Sequence, residues 1–189
     1  MKGTTMKQTL SPLVAIGFLF LISTPGIAGD KPANKYVGVK TCAPCHKNEK
    51  TGNQFGVWQK TKHAEAYQAL TTAKANEIAK TRGSKKSAVE TQECLECHTI
   101  TADVALCDKN FDAKDGVQCE VCHGSGSAYK SIGTMKDKSK AIAAGLAEYK
   151  DDAAIEKKCR TCHNEKSPSY KEFKFKEFWE KIKHPTKKS

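Results

Sequence analysis

Cys42-Ala-Pro-Cys45-His46 is the first of four copies of one pattern in this chain. Cys94-Leu-Glu-Cys97-His98, Cys119-Glu-Val-Cys122-His123 and Cys159-Arg-Thr-Cys162-His163 repeat it: two thiols three positions apart, with an imidazole directly after the second. C-x-x-C-H is the attachment signature of c-type haem. Two thiols at that spacing reach the two vinyl groups on one edge of a porphyrin, and the adjacent imidazole ligates the iron from the proximal face. Tandem C-x-x-C pairs also build zinc ribbons, and single pairs serve as redox dithiols. Neither chemistry calls for a histidine at the same offset in four motifs out of four. The motifs therefore read as attachment sites for four covalent haems c, with His46, His98, His123 and His163 as proximal ligands.

The remaining composition needs such a cofactor. The chain has 189 residues, with 32 Lys and Arg against 21 Asp and Glu, and nine cysteines. From residue 29 onward, Leu, Ile, Val and Phe account for only 22 of 161 residues. So few large apolar side chains, at a net charge of +9 over the same residues, ordinarily signal a disordered chain. Ordering costs roughly 1–2 kcal/mol per residue, and little apolar surface is available to offset it. Porphyrins would supply the missing core. The expected fold is that of a multihaem cytochrome, with short helices and loops wrapped around four closely packed covalent haems in one domain over residues 29–189. A spacing of about 40 residues per motif puts the haems near one another, as an electron wire requires.

Residues 1–28 read as a signal peptide. Lys2 and Lys7 form a basic start without acids, Leu10–Ile22 is mostly apolar, and Thr24-Pro-Gly-Ile-Ala28 ends on small residues. The apolar stretch falls short of the roughly 20 residues that span a bilayer. The reading is cleavage near Ala28–Gly29 and an exported, periplasmic product; the alternative is an uncleaved anchor.

Between the motifs, Trp58, His63, Tyr67 and Leu70 recur at helical spacing and predict one long helix from Gln54 to about Lys80. Residues 81–92 read as a charged linker, and 99–118 as a loop with one short strand pair. Gly124-Ser-Gly126 reads as a tight turn where the backbone approaches a porphyrin closely. Residues 137–162 read as helical. Phe175, Phe178, Trp179 and Ile182 form an amphipathic face over 171–184, suited to packing on haem.

Six histidines leave two, His63 and His184, beyond the proximal set. Both are candidate distal ligands, so two haems at most are bis-histidine. The other irons would take Met, Lys, water or nothing. Met135, the sole methionine after residue 28, is the leading non-histidine candidate. The odd thiol, Cys107, reads as free or buried, or as a link between chains.

Several stretches beyond the motifs carry a family resemblance. Gly38-Val-Lys-Thr-Cys42-Ala-Pro-Cys45-His46 with Trp58-Gln-Lys-Thr-Lys-His63-Ala-Glu-Ala66 resembles the opening of the tetrahaem cytochrome c-554 family. Gly116-Val-Gln-Cys119-Glu-Val-Cys122-His123-Gly-Ser-Gly126 is similar to that family's third haem site. Phe173-Lys-Phe175-Lys-Glu177 through Ile182-Lys-His184 resembles its C-terminal helix. The resemblance implies a mainly α multihaem cytochrome with haems stacked in near-parallel pairs, His63 as distal ligand to the third haem and His184 as distal ligand to the fourth. It also implies a five-coordinate iron at His98 and a donor akin to hydroxylamine oxidoreductase. The family's distal histidine for the first haem is absent, and Met135 stands in that segment.

The function expected is that of an exported tetrahaem carrier passing electrons between redox proteins, not an enzyme. It is expected to be a monomer that touches a membrane only through a membrane-bound acceptor. Lys174, Lys176, Lys181 and Lys183 could steer an acidic partner or serve solubility alone. Nucleic-acid binding is not expected of an exported haem protein. The alternative is binding or reduction of a small nitrogen oxide at an open five-coordinate haem. A haem filament in which neighbouring chains supply missing ligands is a third reading.

Overall fold

The structure is a computed structural model that describes residues 33–185. The expected signal peptide, residues 1–28, lies outside the described residues. No described helix is long and apolar enough to cross a membrane.

The described chain is mainly helical, built from short pieces, and has no strand ladder. Helix α1, Val39–His46, carries the first motif; α2 spans Gln54–Gln59, α3 Ala66–Ala69 and α4 Ala73–Thr81. The second motif lies on α5, Gln92–His98, and the third on α6, Cys119–His123. Then come α7, Ile132–Met135, and α8, Lys138–Ala143. Helix α9, Asp152–Cys159, delivers the fourth motif, and α10, Phe175–Ile182, is the last. Helix α1 packs on α2 and α6, and α3 packs on α5.

The single long helix expected over Gln54–Lys80 is three helices instead. Hydroxyl groups break it. Thr61 donates to the Trp58 carbonyl at 2.7 Å, and Thr72 turns out of the helical region to cap α4 by accepting from Ala75 N–H at 3.2 Å. Threonine side chains offer the backbone this alternative to helix continuation. The carbonyl of His63 is also taken, by Val117 N–H at 2.9 Å, so a distant segment pins the break. Residues 137–162 likewise form two helices, α8 and α9, not one. Gly145, at φ +107°, ends the first, and the Asp151 carboxylate caps the second by accepting from Ala154 N–H at 2.8 Å.

The expected strand pair within 99–118 reduces to one isolated parallel bridge, Tyr36 to Cys107. The linker over 81–92 is more ordered than its charge suggested. Ser87 and Glu90 form a capping box, and Ala88 is fully buried with Leu70 and Ala79. The amphipathic C-terminal helix forms as read, and buries Phe175.

Candidate functional site

Each C-x-x-C-H motif sits on or at the end of a short helix, so one turn brings the cysteines and the histidine together. None of the nine cysteines is paired in a disulfide.

Two of the histidines, His98 and His46, have their rings oriented through Nδ1. His98 Nδ1 lies 2.6 Å from the Ala66 carbonyl, which can only accept, so Nδ1 carries the proton and Nε2 is left for a metal. His46 Nδ1 lies 3.3 Å from Gln54 Oε1. The orientation of that amide is fixed, because Gln54 Nε2 donates to the carbonyls of Thr51 at 2.6 Å and Pro185 at 2.8 Å. Gln54 thus joins the first proximal histidine to the residue directly after His184.

The other four histidines form two facing sets. The rings of His63 and His163 have centroids 6.0 Å apart, and those of His123 and His184 have centroids 5.9 Å apart. Two imidazoles bound through nitrogen to one metal, each at about 2 Å, place their ring centres about 6 Å apart. The spacing fits an iron between each pair. The residues that the sequence singled out are therefore brought together, but in the opposite pairing to the one the resemblance implied. His63 meets the fourth motif's histidine, not the third's, and His184 meets the third's, not the fourth's. The backbone of His63 does lie against the third motif's approach, through Val117 N–H, while its ring turns to His163.

Burial keeps these rings neutral, the form that binds metal. It pushes His123 down to about 4, with His184 and His46 adding smaller effects. Burial likewise lowers His63, His163 and His184. His184 Nδ1 is buried without a hydrogen-bond partner.

The thiols show which motifs adjoin. Cys42 and Cys119 lie close enough to interact; that contact and burial raise Cys42, while in Cys119 the contact outweighs burial and lowers it. Cys97 is pushed up to about 11 by burial first and then by Cys162. Cys122 is raised by burial, with Cys159 and Cys162 both near enough to add to it. The motifs therefore adjoin in the order first, third, fourth, second.

Aromatic support is concentrated on the fourth motif. Phe173, 7% exposed, stacks on the His163 ring at 4.8 Å and on Phe178 at 5.4 Å, and the Arg160 guanidinium lies 5.4 Å over Phe173. Met135 stands at the end of α7 and is 36% exposed. Gly124, at φ +78°, is a point of close approach: a Cβ there would lie 2.7 Å from the Gly145 carbonyl.

Sequence reasoning missed Gln54, Gln118 and Glu120. Gln118 and Glu120 are buried polar residues that flank Cys119. Trp58, read for its helical spacing, also anchors this region by donating from Nε1 to the Val117 carbonyl at 2.8 Å.

Comparison with known proteins agrees with the motifs. Residues 41–124 match the family described as cytochrome c554 and c-prime. Cytochrome c-554 of Nitrosomonas europaea is 29% identical to this chain over 170 residues, covering 80% of this chain. The match spans 66% of that relative, just under two thirds of its length. No solved structure matches. The family read from the motifs is thus the family that both sequence comparisons return.

Proposed function

We propose, for a chain carrying the sequence pattern of the cytochrome c-554 family, that it is an exported electron carrier holding four covalent haems c, one at each motif. The observation that carries the proposal is the pair of opposed imidazole sets, His63 with His163 and His123 with His184, each spaced for a six-coordinate iron. Cys42 and Cys45, Cys94 and Cys97, Cys119 and Cys122, and Cys159 and Cys162 would make the thioether bonds. His46 and His98 would be proximal ligands, their free Nε2 aimed by Gln54 and by the Ala66 carbonyl. Bound haem supplies a reversible one-electron couple at each iron. The residues do the rest: the order of adjacent thiols sets a path from the His46 site through His123 and His163 to His98. Met135 would be the candidate sixth ligand for a haem at His46, and a haem at His98 would have no histidine left as its sixth ligand.

The carrier works between redox proteins in the periplasm, as a monomer, and a donor akin to hydroxylamine oxidoreductase follows from the family resemblance. Lys181 and Lys183 are paired with Glu177 and Glu180, which leaves Lys174 and Lys176 as exposed cations outside those ion pairs for an acidic partner. The test is stopped-flow mixing of the reduced protein with an oxidised acceptor protein. All four haems should oxidise within one fast, salt-sensitive reaction.

A second reading has one observation in its favour. With four histidines in opposed sets, and His46 and His98 held through Nδ1, no imidazole remains for the His98 iron. That iron would then bind a small nitrogen oxide.

A further inference from the structure

Glu120 lies inside the third motif, between Cys119 and Cys122, and is 3% exposed. Its Oε1 accepts from the backbone N–H of Val37 at 2.9 Å and of Gly126 at 2.6 Å. Its Oε2 accepts from Val37 N–H at 3.0 Å and Gly38 N–H at 2.8 Å. Gln118 extends the clamp by accepting from Val39 N–H at 2.8 Å. Val37 and Gly38 lead into α1, whose own N-cap, Gly38, has no side chain to satisfy these donors. One buried carboxylate thus ties the helix of the first motif to that of the third.

Acids are almost never buried unless paired with a cation. None of the described ion pairs includes Glu120. Backbone N–H groups hold it, and they orient a carboxylate without cancelling its charge. A neutral amide would suit the site poorly, because its NH2 would face N–H donors at one of the two oxygen positions. The site is built for a negative charge.

We propose that Glu120 is a tuning carboxylate: its fixed negative charge, shared by the first and third motifs, favours ferric over ferrous iron at His46 and His123 and lowers the reduction potentials of that pair. A negative charge in a poorly solvated interior stabilises the more positive oxidation state. A neighbouring group responds accordingly. Tyr129 is raised above its usual range by burial and then by Glu120.

The inference rests on the proposal that the motifs hold haem, and a haemochrome assay finding fewer than four haems in the wild type would defeat that reading by itself. The test of Glu120 is a spectroelectrochemical titration of wild-type, Glu120→Gln and Glu120→Asp holoproteins. In Glu120→Gln the reduction equilibrium constant of two haems should rise about tenfold, or 59 mV for a one-electron couple, while the other two keep theirs. Glu120→Asp keeps the charge and should keep the wild-type potentials. Equal movement of all four haems, or none, in Glu120→Gln would overturn the proposal. Should Glu120→Gln not mature, Glu120→Asp decides alone, a tenfold shift there being contrary. Loss of haem attachment in both variants would reduce Glu120 to a folding clamp and also overturn it.

Discussion

His63 and His163, a hundred positions apart in the chain, lie with ring centroids 6.0 Å apart. Covalent structure fixes only one of the two, through the fourth motif. The other is delivered by the break between α2 and α3, where Val117 N–H holds the His63 carbonyl at 2.9 Å. His63, the candidate distal ligand, is thus positioned by the segment leading into a different motif.

That arrangement makes the two distal histidines separable. His63→Ala should convert the haem at His163 from low-spin to high-spin, and His184→Ala should do the same to the haem at His123, with haem content unchanged. Electron paramagnetic resonance of the two variants would read this directly. A double variant that keeps both low-spin signals would mean that neither histidine is a ligand.

Gly116 should tolerate no side chain. Its backbone, at φ 77° and ψ −146°, lies in a region that is essentially glycine-only, and a Cβ there would come within 2.5 Å of the His63 carbonyl. Gly116→Ala should cost about 1–3 kcal/mol from the backbone conformation alone. The same change should disturb the His163 haem by displacing His63. Thermal melting and the low-spin signal should fall together, and a variant that melts like the wild type would contradict the crowding.

Gln54 links His46 to Pro185, so its loss should be felt at both ends. Gln54→Leu should cost about 1 kcal/mol for the hydrogen bonds to the Thr51 and Pro185 carbonyls. It should also shift the potential of the His46 haem by freeing its Nδ1. Potentiometric titration against wild type measures the second effect.

Reduced protein should bind carbon monoxide at the His98 iron. If Met135 is the sixth ligand at His46, binding stops at about one site, and the oxidised protein shows the weak near-infrared thioether-to-iron band. Met135→Ala should abolish that band and open a second site. Absence of the band in the wild type would remove Met135 from the ligand set.

Reading this sequence succeeded wherever chemistry demands adjacent residues. The C-x-x-C-H motifs are local, so the haem chemistry could be read off them, while the mainly α architecture came from the family resemblance of the stretches around them. His63 and His184 emerged by counting, because few histidines exist to serve as ligands. Their partners did not emerge, since pairing depends on how α2, α3 and α10 fold back, and the exchanged assignment follows from that. The long helix over Gln54–Lys80 was misread because an Ala- and Lys-rich background hides the capping role of Thr72. Glu120 was invisible for a plainer reason. An acid inside C-E-V-C-H looks like a solvated residue, and only the fold carries the N–H groups of Val37, Gly38 and Gly126 to it.

The central claim is that the four motifs are occupied by covalent haem, and intact mass measures that most directly. The chain should be produced in a host with c-type haem attachment machinery and its mature product weighed under denaturing conditions. The account predicts the mass of the chain from Gly29 plus four haem groups, with Cys107 the one cysteine still free to react with a thiol reagent. A fully matured product carrying three haems or fewer, with a C-x-x-C pair still reactive, would contradict it.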